Sequence, residues 1–406
     1  MGWRNLWRNR RRSIIELTSI AGSIFLAVFM NNIAVGSYSQ MINDGVRMGS
    51  GHIGLYRSNY LEMRKTEQIM TAGNLISEIE KLPEVEAVYP RLNVPGLVRS
   101  SRDSRASVLM GIDIEHERGS NPILNPDRLE KGEFPADGDK RGALMGAVLA
   151  EELGLDVGKK FVVMTQGADG EIASSLFRIS GLIRTNARMI DARMVIIPRQ
   201  ILAEVIGKAD SAHEIAVILK SHKLIEETLP ALRSIAGKEP DTNAIPWENA
   251  MPEMANAVKM DHVGLQIMVA FLYLIVGIGT INTLLMSVME RTREFGVLRA
   301  IGLNKKHIRK IVFSEALVLS ATGIVIGVAL AVIGGLYTST IGIDYSSMME
   351  DQGAAGTLID PIMYSGWDWI SVGVLGVGMI VLALLASLYP AHHIMKIRPS
   401  DAMRKY

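Results

Sequence analysis

Residue types that support catalysis occur in this chain, but not at spacings that let them work together. The nearest approach to a phosphate loop is Gly154-Leu-Asp-Val-Gly158-Lys159-Lys160. A phosphate loop keeps four residues between its glycines and follows its lysine with Ser or Thr, so that backbone N–H groups surround the phosphates and the hydroxyl binds magnesium. Here three residues separate the glycines, and Lys160 stands where the hydroxyl belongs. The segment reads instead as a turn between a helix and a strand. No Gly-x-Ser-x-Gly elbow and no His-Glu-x-x-His pair occurs. His392 and His393 are adjacent, so on a helix they point about 100° apart and cannot share a metal as an i,i+4 pair would. The chain has no cysteine, which excludes thiolate nucleophiles, thiolate metal sites and disulfides. The expectation is a chain with no catalytic, cofactor or metal site of its own.

The segment with a usable pattern is Met289-Glu-Arg-Thr-Arg-Glu-Phe-Gly-Val-Leu-Arg-Ala-Ile-Gly302. Phe295, Leu298 and Ile301 recur three apart, which draws a narrow apolar stripe on a short helix. Glu290, Arg291, Arg293 and Glu294 surround it with both signs of charge. Gly302 suits a helix C-terminus, where a left-handed residue is needed. Physics alone leaves two readings open: a helix resting on lipid headgroups, or one seated in a socket of a soluble protein. The mixed charge fits the second better.

The elements that must position this segment are apolar. The 406 residues allow two or three folding units. Lys and Arg number 43 against 42 Asp and Glu, so nucleic acid binding is disfavoured on charge grounds. A bilayer-spanning helix needs about 20 mainly apolar residues, and residues 13–36, 263–289, 311–341 and 369–389 qualify. The first is too long for a signal-peptide core, which runs about 7–15 residues, so it is expected to be retained. Residues 1–12 hold five Arg and no acid; 290–310 hold seven Lys or Arg and two Glu; 390–406 hold four Lys or Arg and one Asp. Residues 342–368 hold five acids and no base. The positive-inside rule then puts both termini and 290–310 in the cytoplasm, with 37–262 and 342–368 outside. Glu16 and Glu315 lie near cytoplasmic ends, where pairing with a nearby Arg or reaching the interface accounts for them. No Lys, Arg, Asp, Glu or His occupies mid-depth, which disfavours an ion-coupled carrier.

Residues 37–262 are expected to form a large α+β domain with stalk helices. Strand-like runs are 52–56, 85–89, 106–110, 161–164, 194–197 and 215–219; helix-like runs are 73–82, 146–153, 199–206 and 223–235. The pairs 52–82 and 215–235 look like two halves of a split unit, with about 100–200 inserted. Residues 238–246, with Pro240 and Pro246, read as a connector. Beyond it, Pro252 falls in a first helical turn. A helix running from there through the second span measures about 40 residues, or roughly 60 Å, twice the hydrocarbon thickness. Residues 37–48 extend the first span in the same way.

Residues 290–302 resemble the coupling-helix signature of the FtsX/MacB/LolC–LolE permeases, the membrane subunits of ABC transporters of the mechanotransmission type. The start, Trp3-Arg-Asn-Leu-Trp-Arg-Asn-Arg-Arg-Arg12, is similar to the basic start of such permeases. Tyr389-Pro-Ala391 with Ile397-Arg-Pro399-Ser-Asp-Ala-Met403-Arg resembles their closing motif. Residues 144–165 look like part of a MacB-like periplasmic core domain. The arrangement of one span, a large domain and three spans matches as well.

The resemblance implies a fold of four transmembrane helices plus a periplasmic α+β domain, in a bacterial inner membrane. It implies a dimer with a second permease copy, identical or related, and a separate ABC ATPase that binds ATP and magnesium. Glu290, Arg291, Arg293, Glu294, Phe295, Leu298 and Arg299 are the expected ATPase contacts. Chain length and domain size most resemble the LolC/LolE type, which implies release of lipoproteins or lipids with a periplasmic lipoprotein, chaperone or adaptor as partner. On that reading Asn31 and Asn32, with the small positions Gly22 and Gly36, would lie near a site of substrate access from membrane lipid; helix packing by small residues is the simpler account of them. Two further readings stay open: MacB-like export of peptides or small molecules with an envelope adaptor, and FtsX-like signalling to a periplasmic partner.

Overall fold

The structure, a computed structural model, describes residues 10–136, 138–185, 187–344 and 362–396. The expected contributions of residues 1–9 and of the closing Pro399 motif lie outside them. The described chain divides into two units, a helical one and a sheet domain spanning residues 40–258. The first helix, α1 (Arg10–Met48), has 39 residues and no break at the point where the units divide.

The sheet domain is built on ten strands. They are β1 (Ile53–Arg57), β3 (Val85–Arg99), β4 (Ser104–Ile112), β5 (Leu129–Gly132), β6 (Gly142–Gly146), β7 (Lys160–Gln166), β8 (Ile172–Ile183), β9 (Met194–Pro198), β11 (Glu214–Leu219) and β12 (Thr242–Pro246). The short strands β2 (Met70–Thr71) and β10 (Ser211–Ala212) pair separately. The order is β12-β1-β11-β3-β4-β9-β6-β8-β5, with β7 bridging β3 and β8. Two pairs, β4–β9 and β6–β8, are parallel and the rest antiparallel.

Two cores flank this sheet because β3 serves both. Its first half pairs with β11 as far as Arg91, and from Leu92 onward it pairs with β4. One core joins Ile53, Leu55 and Val217 to Leu75 and Ile79 of α2 (Gly73–Ile79) and Leu232 of α5 (Ile225–Ala236). The other joins Leu92, Leu109 and Phe161 to Leu149 of α3 (Ala147–Leu153) and Leu202 of α4 (Arg199–Val205). The strand–helix pairs 52–82 and 215–235 thus share a core, as their pattern predicts, and residues 100–200 supply most of the second, together with Leu92, Val94 and Val98 of β3 and Leu202 of α4.

The connector expected at 238–246 is in part a strand. β12 pairs with β1 from Thr242 to Pro246. It lies at the sheet edge and ends on Pro246, positions that tolerate a residue without an N–H donor. The prolines that mark it as irregular in the sequence are compatible with an edge strand.

The helical unit contains α6 (Pro252–Glu290) from Lys259 onward, α7 (Thr292–Ala300), α8 (Lys305–Ile341) and α9 (Trp369–Lys396), with an antiparallel pair of short strands, Ile343–Asp344 and Ile362–Met363. Among the described residues four helices, α1, α6, α8 and α9, are long and apolar enough to cross a membrane. α6 has 39 residues, about 58 Å at 1.5 Å per residue against a hydrocarbon core of roughly 30 Å. Ile20, Ile24 and Val28 of α1 pack against Val276, Ala331 and Met379. Gly327 permits that closeness: a Cβ there would lie 2.6 Å from the Ala21 carbonyl oxygen. The unit turns large apolar groups outward, among them Phe271, Ile278, Ile333 and Val374, the reverse of a soluble bundle.

Candidate functional site

The coupling segment begins where α6 ends. Arg291 breaks the helix, and nine residues of α7 follow. The far end closes as a Schellman turn: Gly302 N–H donates to Arg299 O at 3.1 Å and Leu303 N–H to Leu298 O at 2.9 Å. Gly302 has φ +99°, as its place in the sequence predicts. Asn304 then caps α8, its Oδ1 accepting from Lys306 N–H at 3.1 Å.

Arg291 fixes the turn. Its Nε donates to Glu294 at 3.2 Å and a terminal nitrogen to Glu315 of α8 at 3.4 Å. The guanidinium lies 5.0 Å from the Phe295 ring centroid. Glu315 also accepts from Ser287 Oγ at 3.1 Å. The pairing of Glu315 with an Arg therefore holds.

The expected contact residues divide between two faces. Phe295 is 2% exposed and packs with Val288, Ile308, Val312, Ala391 and Ile394 from three helices. It is an anchor of α7 within its own chain and is not placed for a surface contact, a correction to the reading of the apolar stripe. Leu298 is half-buried on the same cluster, and Arg291 is turned inward. Glu294 and Arg299 are half-buried, while Glu290 and Arg293 are exposed. The outward apolar groups are Val297, 47% exposed, and Ile301, 77% exposed. Val297 escapes the sequence reading because a spacing of three selects 295, 298 and 301, whereas Arg293, Val297 and Ala300 share the opposite face at spacings of four and three.

Asn31 and Asn32 lie within the helical unit and line no open surface. Asn32 is fully buried, and its backbone carbonyl accepts from Gly366 N–H at 2.8 Å. Its side-chain amide has no hydrogen-bond partner among the described residues.

The sheet domain holds a second feature, a cavity of about 860 Å³. Seven of its lining residues are methionine: Met41, Met48, Met110, Met189, Met194, Met251 and Met254. The charged lining residues Glu62, Arg64, Arg193 and Glu253 are all exposed, whereas Ile123, Met194, Ala250 and Met254 are buried. The charged groups thus lie at the open side and the buried part of the lining is apolar, with Val108 and Met189 exposed beside the charges. Its methionines are scattered over more than 200 positions and leave no local signal. No cluster of three or more His, Asp or Glu able to hold a metal occurs among the described residues.

Comparison with known proteins completes this picture. Residues 13–235 match the MacB-like periplasmic core domain family and residues 266–399 the FtsX-like permease C-terminal family. The chain is 22% identical to the lipoprotein-releasing system transmembrane protein LolC of Neisseria meningitidis, over 98% of this chain and 95% of that one. It is 25% identical to the pyoverdine export ATP-binding/permease protein PvdT of Pseudomonas putida, over 82% of this chain and 51% of that one. The figures for the macrolide export ATP-binding/permease protein MacB of Nitrosomonas europaea are 25%, 82% and 50%. The chain thus spans about half the length of these two export proteins. The crystal structure of the periplasmic region of MacB from Actinobacillus actinomycetemcomitans covers 53% of this chain at 13% identity and a TM-score of 0.37. With a core-domain match over more than half the chain and the permease match behind it, this protein belongs to the FtsX/MacB/LolC–LolE family of ABC transporter permeases.

Proposed function

We propose that this permease converts ATP hydrolysis on a separate ATPase chain into release of lipoproteins or lipids from a bacterial inner membrane. Two copies, or this chain and a related one, form the membrane part. The basic segments 1–12, 290–310 and 390–406 face the cytoplasm, where α7 meets the ATPase through Arg293, Val297 and Ile301. The sheet domain and residues 342–368 face the periplasm.

The observation that carries this reading is the methionine-lined cavity. Thioether side chains are unbranched and polarisable, so they adapt to flexible apolar chains. Pockets of about 300–1,000 Å³ with an apolar interior and a few polar groups at the mouth are the usual shape of small-ligand sites. An acyl chain of lipidated cargo fits such a lining, with its polar end at Arg64 and Arg193. The match to LolC along almost the full length of both chains supports the same cargo class.

The test is release of palmitate-labelled lipoprotein from nanodiscs holding the chain with its ATPase. Met110→Trp, which fills the cavity, should lower release about tenfold while leaving assembly with the ATPase intact. Unchanged release by that variant would remove the cavity from the pathway. Recovery of an envelope adaptor and no lipidated cargo would favour small-molecule or peptide export; a captured hydrolase without cargo would favour signalling.

A further inference from the structure

The end of α1 is gripped by one buried guanidinium. Arg91 is 1% exposed and its partner Glu117 is fully buried. Nε of Arg91 donates to both Glu117 carboxylate oxygens, at 3.2 and 3.1 Å, and a terminal nitrogen donates to Oε2 at 2.5 Å. That same nitrogen reaches the Arg47 carbonyl oxygen, and the other reaches that of Gly49, each at 2.5 Å. Asn121 Nδ2 braces Glu117 Oε2 at 2.9 Å.

Those two carbonyls belong to the last turn of α1 and to the residue just beyond its end, where carbonyls lack helical partners of their own. A cation there also opposes the negative end of the helix dipole. Arg91 sits on β3 at the point where the strand passes from pairing with β11 to pairing with β4: Arg91 faces Glu214, and Leu92 faces Gly111. Glu117 closes the single-turn helix Ile114–Glu117 that follows β4. One side chain therefore ties together the end of the first apolar helix, the strand shared by both cores, and a short helix whose Ile114 packs with Ile112, Ile123 and Leu144 in a smaller apolar cluster. Guanidinium suits this work because its planar fork presents five donors at once, which an ammonium cannot do.

We infer that Arg91 is the positioning residue through which motion of α1 reaches both halves of the sheet domain. It acts through the backbone of residues 47–49 and touches no nucleotide or cargo. The inference rests on the proposed function, takes the coupling of ATP hydrolysis to release to run through movement of the sheet domain, and adds the residue at which that movement is transmitted.

The chain has no cysteine, so Glu171→Cys, in an exposed turn before β8, accepts a single spin label per copy. The full chain is assembled with its ATPase in nanodiscs, and the label-to-label distance is measured with and without ATP. Arg91→Met with Glu117→Met removes both charges of the clamp together, a replacement that folded proteins commonly accept; the buried Glu214 opposite Arg91 keeps its hydrogen bond to Tyr56. The double variant should hydrolyse ATP within twofold of the unmodified protein yet lose more than half of the ATP-dependent distance change. Backbone amides of residues 44–51 should exchange hydrogen at least tenfold faster, with the core of α2 and α5 unchanged. Arg91→Lys, which keeps the charge and loses the fork, should show the same local exchange. A full distance change in the folded double variant, or unmodified protection of 44–51 in Arg91→Lys, would overturn the inference. An unmodified protein whose distances ignore ATP would overturn the reading of sheet-domain movement and with it the transmission role, even if the exchange data confirmed the clamp.

Discussion

Arg291 and Glu315 join the start of the coupling segment to the third long helix, at 3.4 Å, with Ser287 completing the carboxylate's shell at 3.1 Å. Their side chains are 17% and 11% exposed. Because Arg291 also covers the Phe295 ring and reaches Glu294, the pair sets where α7 leaves α6. Glu315→Ala leaves the guanidinium without its deepest partner, and should destabilise the helical unit by about 1–3 kcal/mol. Thermal unfolding of the purified chain in mild detergent reads this. A melting temperature equal to that of the unmodified protein would show that the pair positions nothing.

The division of α7 into an anchored face and a free face separates two kinds of damage. Val297→Asp with Ile301→Asp alters exposed positions only. It should abolish co-purification of the ATPase while the chain keeps its melting temperature. Phe295→Ala opens a cavity in a cluster shared by α6, α7, α8 and α9, and should cost about 3–5 kcal/mol of stability. Normal ATPase recovery with both aspartates present would mean that another surface carries the contact.

Two buried histidines give the sheet domain a pH dependence of known sign. Burial is the main cause that pushes His52 down to about 4, with the positive charge of Arg47 adding to it. Burial likewise pushes His213 down to about 4. His213 Nε2 donates to Thr66 O at 3.1 Å, and its Nδ1 accepts from Asn93 N–H at 3.3 Å, so the neutral ring is the one that fits. The unfolded chain takes up these protons near pH 6.5, the folded chain near 4, so stability is full above 6.5 and falls as pH drops toward 4. The loss is roughly 3 kcal/mol per histidine across that window. His213→Gln keeps a donor and an acceptor but does not titrate. Denaturant unfolding between pH 4.5 and 7.5 should show a shallower slope for this variant, and an identical slope would exclude His213 as the titrating group.

Legibility from sequence followed the range of the forces involved. The four apolar helices, and six of the strands in the sheet, are local patterns of hydropathy and period, so they could be read directly. β6 could not: Gly142–Gly146 is buried on both faces, so it shows no alternation. The inward turn of Phe295 depends on Ala391 and Ile394, almost 100 positions away. Arg91 is similarly silent, because its partners at 47, 49 and 117 come together only when β3 is placed. What packs against a side chain is a property of the tertiary structure, and both the clamp and the cavity live at that level.

Two glycines of α1 that look alike in sequence should respond in opposite ways to the same substitution. A Cβ on Gly22 meets nothing within 4 Å, whereas one on Gly36 would lie 1.8 Å from Tyr364 O and 2.5 Å from Gly366 N. The chain before α9 comes this close because Gly366 N–H donates to Asn32 O, one turn earlier on α1, at 2.8 Å. Gly22→Ala removes backbone freedom from the unfolded chain without a clash, and should leave stability unchanged or raise it by about 0.5–1 kcal/mol. Gly36→Ala forces backbone apart and should lower stability by roughly 1–3 kcal/mol. Melting temperatures of the two variants in the same detergent decide the matter. If Gly36→Ala melted with or above Gly22→Ala, the close approach of residues 364–366 to α1 would not exist in the folded protein.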